Sequence, residues 1–363
     1  MRTGLMLVFQ NGQPSLSDAE MHRNEVRLAE LGDPLGFDVV WAVEHHFDAY
    51  AMCPDNTQLL SYLAAKTERI QLGTAAVILP WNNPLRVVEK MILLDHLSGG
   101  RAVFGMGRGL ARMEYAGFGI VMDEARSRFD EAAKMILDGL ETGFVEGNGP
   151  FYPQARTEVR PRPLRSFKDR TYCVAMSPDT IPVAAELGAR MMFFAQFPMD
   201  RHLPGIERYR QLYRERYGAT AAPPLAVDFM YCDEDSGRAE EKANRYIAAY
   251  YLSVLQHYEM LEQHFGSARG YEAYGDMREY LRATGKTESA EAYVDTQIWG
   301  TPRQILDKLE RRRQIIGEFE LNVCASYAGL PYDEVERSMR LFAREVLPEV
   351  RTWFGPAATK DVA

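Results

Sequence analysis

The sequence predicts an α/β fold, a (β/α)8 TIM barrel, on two observations. Eight short apolar runs alternate with helix-length amphipathic segments along the chain. Each run is apolar without alternation, the pattern of strands buried on both faces of a parallel sheet. By length alone, 363 residues suggest two domains, but barrels of this class run as long in one. The expected organisation is one domain over 1–350 and a tail over 351–363. A doubly wound open sheet is the runner-up.

The strand candidates are 5–9, 37–43, 70–79, 102–106, 171–175, 191–195, 225–232 and 319–324. The first helix opens on Ser17-Asp18-Ala19-Glu20, which reads as a capping box. Asn83-Pro84 opens a helix whose Val87, Val88, Met91 and Leu94 share a face, and Ser98-Gly99-Gly100 closes it. Thr301-Pro302-Arg303-Gln304 is a second capping box. In the last helix Val335, Met339, Phe342 and Val346 repeat at helical spacing and read as core. Two segments break the rhythm and are expected as insertions. One, at 142–170, comes before strand 5. The other, at 264–300, comes after strand 7 and its long helix. Gly266, Gly270, Gly275 and Gly285 with Tyr271, Tyr274 and Tyr280 suit a lid there.

The net charge of -9 argues against nucleic acid, which is held by clustered Lys and Arg. The basic cluster from Arg156 to Arg170 is rich in Pro and reads as a solvated loop. No apolar run approaches the roughly 20 residues that span a bilayer, so no membrane partner is expected. The first residues lead straight into a strand, without a signal-peptide pattern. Cys53, Cys173, Cys232 and Cys324 are far apart and form no CxxC pair, which points to reduced thiols and a cytoplasmic enzyme.

In such a barrel the chemistry sits at the carboxyl ends of the strands. Glu44-His45-His46 follows strand 2, and histidine titrates where proton transfer near neutral pH needs it. Gly73-Thr74-Ala75-Ala76 offers small side chains that let a flat ligand approach the backbone. Gly105-Met106-Gly107-Arg108-Gly109-Leu110 follows strand 4. It is not a nicotinamide fingerprint, because the third glycine falls at Leu110 and the motif is not in the first βα turn. It does present Arg108, a permanently charged fork suited to phosphate. Ser177-Pro178-Asp179-Thr180 after strand 5 resembles a helix start, which binds phosphate through free amides but also looks like any cap. No HExxH or His/Asp cluster marks a metal, and no G-x-S-x-G elbow marks a hydrolase. His22, His96, His202, His257 and His264 read as bystanders.

The order of several short pieces resembles the bacterial luciferase family of flavin-dependent monooxygenases. They are Glu44-His45-His46-Phe47, Leu72-Gly73-Thr74-Ala75-Ala76, Asn83-Pro84-Leu85-Arg86, Leu94-Asp95-His96-Leu97-Ser98-Gly99-Gly100-Arg101, Arg108-Gly109-Leu110, Phe118-Gly119, Val174-Ala175-Met176-Ser177, Ala184-Ala185-Glu186-Leu187-Gly188 and Gly300-Thr301-Pro302. The likeness covers nearly the whole chain. It implies that His45 is catalytic, with Glu44 beside the flavin. It also implies a non-proline cis peptide at Ala75-Ala76 against the flavin ring. Arg108, Ser177 and Thr180 would hold the FMN phosphate. Met106, Leu110, Ala175 and Met176 would line the site.

The implied activity is that of the oxygenase component of a two-component monooxygenase. A separate NAD(P)H-dependent flavin reductase would supply reduced FMN. Dioxygen would give a flavin hydroperoxide that oxygenates a small, mostly apolar organic substrate. A homodimer, or a heterodimer with a homologue, is implied by the same likeness. Ala111, Met176 and Ala195 depart from the luciferase pattern at positions that bear on the substrate and on light emission. The rivals are a deazaflavin-dependent hydride-transfer enzyme of the same fold and a non-catalytic partner subunit.

Overall fold

The computed structural model describes residues 1–262, 271 and 273–353. Eight parallel strands form a closed ring: Thr3–Leu7, Val39–Ala42, Gln71–Thr74, Ala102–Gly107, Thr171–Val174, Arg190–Phe194, Leu225–Cys232 and Glu320–Cys324. Leu5 sits between Val40 on one side and Val323 on the other. The ring closes where Leu225 pairs with both Met192 and Glu320. The expected barrel is therefore the observed one, and no open edge remains in the ring.

The helix signals act as the sequence indicates. Ser17 and Thr301 each complete a capping box. The Asn83 side chain accepts from the Arg86 amide, with Pro84 in the first turn. The apolar face of the Pro84–Leu97 helix buries Val87, Val88, Met91 and Leu94 against the barrel. Burial of each such side chain is worth about 1.5–3 kcal/mol, so this face outweighs any single cap.

Three readings need correction. The run at 70–79 is interrupted at Ala75-Ala76, whose peptide bond is cis, and resumes as Val77–Ile78. The segment at 142–170 is no loop throughout: Phe144–Gly147 and Gln154–Glu158 pair as an antiparallel hairpin. Its arginines are partly engaged. Arg156 lies 3.7 Å over the Phe144 ring, and buried Arg170 meets Asp95 at 2.8 Å. The segment at 264–300 contains two helices, Ala273–Thr284 and Lys286–Thr296, and a short strand, Ile298–Gly300, paired to Leu225–Cys232. Tyr293 and Val294 are buried, so the later half of the expected lid is part of the packed protein. Gly266 and Gly270 lie outside the described residues.

Candidate active site

A deep, open cavity lies at the carboxyl ends of the strands. Among the site candidates its lining includes Glu44, His45, Ala75, Ala76, Arg108, Leu110, Met176 and Thr180. Aromatic residues Tyr50, Phe194, Phe229, Tyr250, Tyr258 and Tyr293 supply much of the remaining wall.

Met106, Ala175 and Ser177 do not line it, although all three are buried. Side chains alternate across a strand, and on the fourth strand it is Gly107 that faces the cavity. The small residues before Ala75 also have another reason. A Cβ on Gly73 would strike the Trp41 ring. Thr74 is bonded through its hydroxyl to both the amide and the carbonyl of Gly105, each at 2.8 Å. Ala75 and Ala76 alone present the flat, small-sided wall.

His45 stands where the second strand ends. Its Nδ1 meets Glu114 Oε1 at 2.9 Å, and its Nε2 meets the Tyr258 hydroxyl at 3.3 Å. Burial tends to raise the Glu114 carboxyl, but the His45 contact and the His46 amide outweigh it and hold Glu114 below the usual carboxylate range. A carboxylate on Nδ1 fixes the imidazole tautomer and leaves Nε2 for proton exchange.

Glu44 lines the cavity and is held by several hydrogen bonds. Its Oε1 accepts from Trp81 Nε1 at 2.7 Å and Asn82 Nδ2 at 2.8 Å, and its Oε2 accepts from the Ile78 amide at 3.2 Å. The carboxylate thus ties down the turn that follows Ala75-Ala76. Asn56 secures the same stretch from Nδ2 to the Ala76 carbonyl at 3.2 Å.

At the other end of the cavity the buried Arg108 guanidinium lies 3.9 Å over the Tyr271 ring. Tyr271 is buried and donates to the Gly109 carbonyl at 2.9 Å. Beside Arg108 stands Arg126, which sequence reading passed over. Both of its terminal nitrogens are buried without a hydrogen-bond partner among the described residues. Burial, then the Arg108 charge, lowers its pKa. The Asp130 and Asp179 carboxylates oppose that effect, and an anion between the two guanidinium groups would be further stabilised there. Nearby, the Met176 and Ser177 amides donate to Thr180 Oγ1 at 3.1 and 3.0 Å, and Ser177 Oγ lies 3.1 Å from the same oxygen.

Sequence reading also missed Glu114, Tyr258 and His257. They reach His45 across 69, 213 and 212 positions, so no local motif could announce them. His257 is no bystander: its ring packs edge-on to His45, centroids 5.2 Å apart. His45, Glu114 and His257 offer ligand atoms within 4.8 Å of one another. Zinc bonds of about 2.0–2.2 Å span less than that, so the trio as placed does not close on one ion. The four thiols are free and buried, and burial pushes Cys173 up to about 12.

With this geometry in place, a family model described as luciferase-like monooxygenase matches residues 1–318. The chain belongs to the luciferase-like monooxygenase family. The alpha chain of an alkanal monooxygenase from Photorhabdus luminescens is 27% identical over 348 residues, covering 94% of this chain and 95% of that one. A monooxygenase from Streptomyces bottropensis superposes with a TM-score of 0.78 at 26% identity, over 96% of this chain and 100% of that one. Two more distant structures share the fold. One is the oxygenating constituent of 3,6-diketocamphane monooxygenase from Pseudomonas putida, in complex with FMN (TM-score 0.72, 17% identity, 96% and 98% covered). The other is the coenzyme F420-dependent tetrahydromethanopterin reductase from Methanopyrus kandleri (TM-score 0.68, 20% identity, 96% and 99% covered). Among the described residues no helix is long and apolar enough to cross a membrane.

Proposed function

We propose that this luciferase-like monooxygenase is the oxygenase component of a two-component system. It takes reduced FMN from a separate NAD(P)H-dependent flavin reductase and oxygenates a small, mostly apolar organic substrate. The observation that carries the reading is one cavity whose lining brings together Arg108, His45 and the Ala75-Ala76 wall, with Arg126 near Arg108. The donor set fits FMN. Arg126 brings two buried, unpaired nitrogens, Thr180 a hydroxyl on the cavity wall, and a phosphate satisfies both cations by charge-assisted bonds.

When bound, reduced FMN supplies the electrons that activate dioxygen. The protein's own part is positioning, proton handling and exclusion of water. Ala75 and Ala76 offer a surface without long side chains, which suits a planar ring. Glu44 acts indirectly, by holding the Ile78–Asn82 turn behind that surface. Glu114 holds His45 with Nε2 toward Tyr258 and the cavity, placed to give or take a proton. The aromatic walls shed water, which protects reactive species from side reactions. They also suit an apolar substrate. Exposed Tyr62, Leu93 and Leu97 lie on the adjacent helices Asn56–Ala64 and Pro84–Leu97, and this patch supports a homodimer.

The test is rapid mixing of the protein and reduced FMN with oxygenated buffer, with and without candidate substrates. His45→Ala should keep reduced-FMN affinity and lose about 10²–10⁴-fold in product formation. Full coupled turnover in that variant removes the catalytic assignment. A deazaflavin hydride-transfer enzyme remains the second reading, favoured by the fold shared with the F420-dependent reductase. It predicts no oxygen uptake with reduced FMN.

A further inference from the structure

His257 is 4% exposed, yet it does not line the flavin cavity. Its ring stacks on Tyr50, centroids 4.2 Å apart and 12° from parallel. Tyr50 lines the cavity on one side and a separate polar cleft on the other. That cleft is bounded by Gln10, Asn11, Asp48, Ser253, Gln256 and His257. The Tyr50–His257 stack is therefore the partition between the two spaces.

His257 Nδ1 meets Asp48 Oδ2 at 3.0 Å, and the Asp48 side chain is 39% exposed. His257 Nε2 is buried and has no hydrogen-bond partner among the described residues. The ligand atoms of His45, Glu114 and His257 lie within 4.8 Å of one another. Two hydrogen bonds of about 2.8 Å through one water span such a gap. The groups facing His257 are Asp48 and His45 from the loop after the second strand, Tyr50 from the same loop, Glu114 from the Arg112–Gly117 helix, and Tyr258. Burial lowers the His257 pKa, with His45 adding to that effect and Asp48 and Glu114 opposing it. A neutral imidazole with a carboxylate on one nitrogen accepts a proton on the other and passes one on.

We propose that His257 and Asp48 form a proton path from the outer polar cleft to His45, so that His45 exchanges its proton with bulk water while the flavin cavity stays closed to it. Its purpose rests on the oxygenase reading. One anionic reduced flavin, one dioxygen, one substrate and one proton become oxidised flavin, oxygenated substrate and water. A proton must therefore enter each turnover although water must not. His257 and Asp48 are positioning residues in this scheme, since neither touches the cavity.

The test uses the full chain without cofactor, labelled with nitrogen-15 histidine. Exchange of the His45 ring proton with solvent is read by NMR in the wild type, His257→Phe and Asp48→Asn. Phe keeps the stack on Tyr50 without the nitrogens. His45 exchange should slow about a hundredfold in His257→Phe, the low side of what one proton-transfer group contributes. In His257→Gly, which vacates the ring-sized space, free imidazole should restore it. Asp48→Asn, which leaves the partition intact, should slow it in the same direction. Unchanged exchange in both folded variants overturns the path, and so does slowing that imidazole does not relieve. A separate reduced-FMN titration distinguishes the two claims: failure to bind flavin sinks the oxygenase reading and leaves the exchange result standing.

Discussion

Glu114 Oε1 receives both the His45 ring at 2.9 Å and the His46 backbone amide at 2.8 Å. One oxygen thus fixes the direction of the chain after the second strand and the orientation of its first histidine. Glu114→Gln keeps the size and loses the charge. Charge-assisted bonds are worth roughly 1.5–3 kcal/mol. The variant should lose about tenfold or more in the His45-dependent rate while reduced FMN binds unchanged. Single-turnover product formation beside a reduced-FMN titration would show it, and an unchanged rate in the folded variant would disconnect Glu114 from His45 chemistry.

Arg126→Met should separate binding from stability. In the ligand-free protein it removes a guanidinium whose terminal nitrogens are buried without hydrogen-bond partners among the described residues, repelled by Arg108 but attracted by Asp130 and Asp179, so thermal stability should change little. Reduced FMN should bind about 10- to 150-fold more weakly, the range for a lost bond to a charged group. Riboflavin, without the phosphate, should bind as before. Arg108→Ala should show the same selectivity. Equal losses for both flavins would make the two arginines structural.

Tyr271 covers Arg108, stacking on its guanidinium and donating to the Gly109 carbonyl. Tyr271→Ala removes both. Flavin should still bind, because the cations remain, but peroxide released per oxygen consumed should rise as water reaches the site. A peroxide fraction equal to wild type at normal product yield would show that Tyr271 closes nothing.

Glu25 lies behind the barrel mouth, bonded to Ser326 at 2.5 Å, with its second oxygen buried and unpaired among the described residues. Burial, only partly opposed by Ser326 and Tyr332, raises its pKa to about 7. The folded protein then holds a proton that the unfolded chain releases at ordinary carboxylate pH. Stability therefore falls as pH rises from the unfolded value of 4.5 to about 7. At about 1.4 kcal/mol per unit, the loss above pH 7 comes to roughly 3.5 kcal/mol. Glu25→Gln should unfold at a higher temperature than wild type at pH 8, with the gap shrinking toward pH 5. A gap independent of pH would contradict the assignment.

The barrel was legible because parallel strands buried on both faces leave continuous apolar runs, and capping boxes mark helix starts within a few residues. Arg108, His45, Ala75 and Ala76 were legible as well, since each sits in a short segment at a strand exit. What escaped was contact between distant segments. Glu114, Tyr258 and His257 meet His45 only because the ring closes, and each alone is an ordinary helix or turn residue. Arg126 sits in an arginine-rich helix start, where nothing local shows that its nitrogens end buried. The bonds of Glu44 to Trp81 and Asn82 depend on the turn after Ala76, which no local pattern shows. The hairpin at 144–158 was hidden by the Pro and Gly residues of its turn.

The central claim is that the cavity is built for a reduced flavin phosphate. The direct measurement is an anaerobic equilibrium titration of the purified chain with reduced FMN, reduced riboflavin and reduced deazaflavin, followed by admission of oxygen to the bound complex. The account predicts that reduced FMN binds tightest, that riboflavin is weaker by the contribution of Arg108 and Arg126, and that oxygen is consumed. Preference for the deazaflavin without oxygen uptake, or no flavin binding at all, would contradict it.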